Sequence, residues 1–70
     1  MDNKDLMAFG NHLKKIRESN SISQEKLALA ADSYQSTVIR IEKGQSNPKL
    51  TTIIALAKAL KIPLKELTDF

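Results

Sequence analysis

Apolar residues in this chain recur at helical spacing, but only in short runs that polar joints keep cutting off. Phe9, Leu13 and Ile16 share one helical face, while His12, Lys14, Lys15, Arg17 and Glu18 fall mostly on the rest of the wheel. That pattern predicts a first helix from about Leu6 to Ser19, preceded by a polar, frayed Met1–Asp5. Asn20-Ser21 supplies its stop, because Asn tolerates the left-handed conformation that ends many helices. Ser23 reads as the N-cap of a second helix that ends near Ala31, with Ile22 and Leu27 placed as a hydrophobic staple. Glu25 suits the positive end of that helix, and Lys26 stands where a capping box would need Glu or Gln. After Asp32-Ser33, Val38 and Ile41 form the inward pair of a third helix reaching about Lys43. Gly44 stops it, and Pro48 keeps the following loop extended at Asn47. Leu50, Ile53, Leu56, Ala57 and Leu60 line the expected buried stripe of a fourth helix. Pro63, suited to a first helical position, starts a short fifth one carrying Leu64 and Leu67. The fold class predicted is all-α, five helices in a single domain spanning residues 1–70.

A 70-residue chain without cysteine must hold together by close helix packing, alone or with a partner subunit. No Cys/His cluster offers a metal site, and no cofactor is expected. No Ser/His/Asp set, paired carboxylates or glycine-rich phosphate loop is apparent, so the residues argue against an enzyme, and one small core leaves little room for a substrate pocket. His12 has no partner at metal-binding or catalytic spacing and reads as a surface residue. No apolar stretch approaches the ~18 residues of a membrane helix, and the N-terminus lacks a signal peptide's apolar run. A cytoplasmic location is expected, without a membrane or small-molecule partner.

The net charge of +3 is mild, and its placement is more informative than its size. From Ser33 to Lys49 the charged residues are Arg40, Lys43 and Lys49 against Glu42 alone. From Lys58 to Lys65 there are three lysines and no acid. The basic excess therefore sits in the second half of the chain, and a mild excess of this kind is compatible with a polyanionic partner, as it is with many unrelated small domains.

The stretch from Ser23 to Leu60 resembles the helix-turn-helix family of phage repressors, Cro proteins and xenobiotic-response-element-like regulators. Ser23-Gln24, Leu27-Ala28, Ser36-Thr37-Val38, Arg40-Ile41-Glu42-Lys43-Gly44, Asn47-Pro48 and Leu56-Ala57-Lys58-Ala59-Leu60 match in order and spacing. With the flanking helices the resemblance covers about residues 7–67. It implies a lambda-repressor-like domain whose motif spans about residues 23–43, with residues 33–43 as the recognition helix. The turn departs from the family pattern of Gly, apolar residue, then Ser or Thr. It holds Asp32, Ser33 and Tyr34 instead. Asp32 is therefore expected at positive φ, which Asp tolerates better than most residues. Tyr34 is a poor cap, which leaves Ser33 as the candidate for that role. Ser21, where the family often has Gly, is a milder departure of the same kind.

Carried over position by position, the resemblance implies base contacts from Gln35, Ser36 and Arg40, with Tyr34 at the start of the helix. Gln pairs well with adenine N6/N7 and Arg with guanine O6/N7. Ile39 either meets a thymine methyl or covers the helix joint. Gln24, Lys43, Ser46, Asn47 and Lys49 resemble the family's phosphate contacts. Arg17 and Glu42 resemble its structural ion pair between the first helix and the end of the recognition helix. The function implied is a sequence-specific transcriptional regulator, a repressor or autoregulator from a bacterium or phage, binding double-stranded operator DNA. A homodimer is expected, with Leu64, Leu67 and Phe70 as its contacts. An antitoxin or a restriction–modification controller shares this fold. A protein-interaction module that has lost DNA binding is the rival from another class.

Overall fold

The computed structural model describes every residue from Met1 to Phe70. It contains α1 (Asn3–Ser19), α2 (Gln24–Ala30), α3 (Gln35–Glu42), α4 (Leu50–Ala59) and α5 (Leu64–Leu67), with no strand. Phe9 and Leu13 of α1, Leu27 and Ala28 of α2, and Val38 and Ile41 of α3 meet Ile53, Leu56 and Ala57 of α4 in one core. Leu67 of α5 completes it. Burial of each large aliphatic side chain here contributes about 1.5–3 kcal/mol against the entropy of ordering the chain.

All four joints between helices are built alike, and each uses one residue with positive φ: Ser21, Asp32, Gly44 and Lys61. The N–H of the following residue donates five residues back. Ile22 bonds the Arg17 carbonyl, Ser33 that of Ala28, Gln45 that of Arg40, and Ile62 that of Ala57. This is the Schellman arrangement, which satisfies carbonyls that a helix end leaves without partners. It meets the expectation for Asp32, whose φ is 53°. At the first joint the left-handed residue is Ser21, because Asn20 still has φ −94° as the C-cap of α1.

Several sequence expectations need correction. The first helix starts earlier than Leu6, since the Asp2 carboxylate accepts from the Asp5 N–H and caps it at Asn3. Ser33 does not cap α3. Its N–H closes the preceding joint, and Tyr34 takes the N-cap place without a side-chain hydrogen bond. The recognition helix is accordingly shorter at its start than residues 33–43. Pro63 precedes the first residue of α5 rather than occupying it. Leu50, expected in the buried stripe of α4, is 63% exposed, as the first residue of that helix. Ser23, by contrast, caps α2 as read, its Oγ accepting from the Lys26 N–H at 3.0 Å.

Candidate nucleic-acid interface

The two sides of α3 have opposite fates. Val38, Ile41 and Glu42 are buried, while Gln35, Ser36, Arg40 and Lys43 are exposed, and Ile39 and Thr37 lie at the border. Ser36, Arg40 and Lys43 follow each other at i, i+4 and i+7, which aligns them along one outer stripe. An α-helix with its side chains is about 10–12 Å across, which a major groove about 12 Å wide admits. Tyr34 stands at the head of this helix, 79% exposed. No acid occupies the first turn and no side chain caps it, so the positive end of α3 faces outward unneutralised. Basic Lys43 and Lys49 and the polar Asn47 are exposed beyond its other end, with Ser46 half-buried among them. A shallow groove of about 300 Å³, lined by Ala31, Asp32, Ser33, Thr51, Thr52 and Ala55, separates the turn from α4.

The inner side of α3 is locked by a polar cluster. Arg17 Nε donates to Glu42 Oε2 at 2.6 Å and Nη2 to Oε1 at 3.1 Å, the bidentate pair that the family resemblance implies. Arg17 Nη1 reaches the Ile22 carbonyl at 2.9 Å, tying the α1–α2 joint to the same cluster. The hydrogen bonds that Arg17 donates to Glu42 raise its pKa above the ordinary value, against the opposing pull of burial, so the guanidinium stays charged. Gln24 Nε2 also donates to Glu42 Oε1, at 3.0 Å. That amide was expected to point at a phosphate. No spacing rule links residues 24 and 42, so the bond had no signature in the sequence.

Two further side chains have different surroundings from those expected. His12 is half-buried, with Nε2 2.8 Å from the Glu66 carbonyl, and connects α1 to α5. In that geometry Nε2 carries the proton and donates it. Leu67 is completely buried and belongs to the core of a single chain, which removes it from the dimer contacts. Leu64 remains partly exposed. Phe70 is 48% exposed and rests edge-on against Phe9, with ring centroids 5.5 Å apart.

A helix-turn-helix family model matches residues 13–67. The chain belongs to the helix-turn-helix family. Control protein C.BamHI of Bacillus amyloliquefaciens is 39% identical over 71 aligned positions, covering 100% of this chain and 88% of that protein. The cryptic phage CTXphi transcriptional repressor RstR of Vibrio cholerae is 32% identical over 61 positions. That match covers 87% of this chain and 55% of RstR. The crystal structure of the restriction-modification controller protein C.AhdI from Aeromonas hydrophila matches with a TM-score of 0.91 at 40% identity, covering 93% of this chain and 94% of that one. This helix-turn-helix chain is a DNA-binding transcriptional regulator. No helix in it is long and apolar enough to cross a membrane.

Proposed function

We propose that this regulator reads a specific operator by laying α3 in the major groove, and that it does so as a symmetric homodimer in the cytoplasm. The observation that carries the reading is the two-sidedness of α3. Gln35, Ser36 and Arg40 stand free on one side, while Val38, Ile41 and Glu42 hold the other rigidly to the domain. Gln35 then pairs with an adenine edge, donating to N7 and accepting from N6, and Arg40 donates to a guanine edge, with Ser36 and Tyr34 beside them. Lys43, Ser46, Asn47 and Lys49 grip the backbone next to the groove. Its role is binding, without a catalytic step. Among regulators, a controller of a restriction–modification system is favoured, since C.BamHI and C.AhdI are matched over nearly their whole lengths whereas RstR is matched over about half.

The base and phosphate roles separate experimentally on duplexes selected from random DNA by the purified protein. Arg40→Ala should cost about 1–3 kcal/mol on the selected site and relax preference at one base position. Lys49→Ala should weaken every sequence alike and reduce the salt slope of binding by about one. Binding curves at low salt that neither substitution alters would mean the DNA-facing surface is elsewhere.

The dimer follows from how little one short helix reads. A few base pairs cannot select a site among a genome of competitors, and two linked copies double the readout. Leu64 and Phe70 offer apolar surface for the contact, and exposed Leu50 on α4 joins them as a candidate. Half-sites should lie about 10 bp, or 34–36 Å, apart between centres. Lengthening the spacer by about 5 bp turns one half-site to the opposite face of the duplex and should abolish cooperative footprinting. Equal affinity at every spacing would leave a monomeric reader.

A further inference from the structure

We propose that Gln24 is a positioning residue for base reading, acting through Glu42 rather than through a phosphate. The proposal rests on α3 being the reading helix, and it concerns what sets that helix's angle. The two helices of the motif are joined covalently at one end only, by the turn from Ala31 to Tyr34. Gln24 is the first residue of α2 and Glu42 the last of α3, so both lie at the ends remote from the turn. Their 3.0 Å hydrogen bond closes the open side of the wedge.

A bond at that place has the longest lever arm available. Over a helix about 12 Å long, a slip of about 1 Å at Glu42 tilts α3 by about 5°. Arg40, two residues from that end, takes most of the displacement, and a working polar site tolerates only about 0.5 Å. Arg17 alone does not set the angle, because both of its contacts to Glu42 come from α1. Gln24 adds a third donor from a second helix, so the Glu42 carboxylate is held from two directions. The role requires a donor aimed at the carboxylate. The Gln24 amide supplies one to the buried Glu42 side chain, which is 3% exposed.

The test compares the ratio of affinities for the selected operator and for the same duplex altered at the Arg40 base. Gln24→Met keeps the length of the side chain and removes the donor, and Gln24→Lys restores a donor. Both are assayed below their melting temperatures. The Met variant should lower the ratio by about three- to tenfold, the range that a hydrogen bond's usual net worth allows. The Lys variant should return it to the wild-type value. A Met variant that weakens both duplexes equally, or a Lys variant that fails to restore the ratio, overturns the proposal in favour of a phosphate contact. Arg40→Ala run in parallel separates the two levels. If it leaves the ratio unchanged, the reading of α3 itself fails, whatever Gln24 does. Should Gln24→Met not fold, hydrogen exchange of the Gln24 side-chain amide in the wild-type protein decides. Slow exchange that persists on the operator supports the positioning role, and release of the amide on binding overturns it.

Discussion

Glu42→Ala should destabilise the domain by about 3–5 kcal/mol, enough to unfold much of it at moderate temperature. Removing one partner of a buried ion pair leaves the other without compensation, and that cost exceeds the net worth of the pair itself. Here Arg17 would keep its Nη1 bond to the Ile22 carbonyl and lose both bonds to the carboxylate. Gln24 would lose its acceptor as well. A domain of this size has a stability of only about 5–15 kcal/mol, towards the lower end for so small a core. Replacing both partners, with Arg17→Met and Glu42→Leu together, should recover most of the loss, because apolar residues of similar volume need no counter-charge. Urea unfolding of the three proteins, followed by circular dichroism, measures both effects. A loss under about 1 kcal/mol for Glu42→Ala would show that water reaches Arg17 and repairs the pair.

The second large effect is expected at Gly10, in the middle of α1. On helix propensity alone, Gly10→Ala should stabilise the protein by about 1 kcal/mol. The surroundings reverse the sign. A Cβ placed there would overlap the Ile41 carbonyl oxygen and stand 2.9 Å from that of Glu42. Both are backbone atoms at the end of α3, which cannot rotate aside as a side chain would. Either α1 moves off α3 or α3 bends, and overpacking of this kind costs about 1–3 kcal/mol or more. Because the displaced segment carries Glu42, operator discrimination should fall together with the melting temperature. A Gly10→Ala protein as stable as the parent would mean that α1 and α3 do not approach to backbone contact.

How far the residues themselves disclosed this arrangement depends on the range of the interaction. Ser23 as a cap, and Val38 and Ile41 as the inward pair, were legible because each follows from a few neighbouring residues, whereas Asp32 at positive φ was legible through the glycine that the family places at that turn. The Arg17–Glu42 pair was legible only through resemblance to a family, since nothing in the spacing of residues 17 and 42 joins them. Ser33 misled because its hydroxyl suits a helix cap, yet its N–H was needed to close the preceding joint. Leu50 misled because periodicity extends a stripe past the point where the core ends.

Local patterning by itself determined an all-helical chain, four of its breaks, and a third helix with one apolar and one polar side. Those features depend on backbone propensities and on the 3.6-residue period, which act over a turn or two. Tertiary structure alone decided that Gly10 lets α1 touch α3, that Leu67 belongs to the core, that His12 holds α5, and that Gln24 turns inward to Glu42. The contacts of Gly10, His12 and Gln24 join residues 18 or more positions apart, at distances set by how whole helices pack. The physical reason is that a hydrogen bond or a backbone contact is specified to a few tenths of an ångström, and only the packed helices supply that precision.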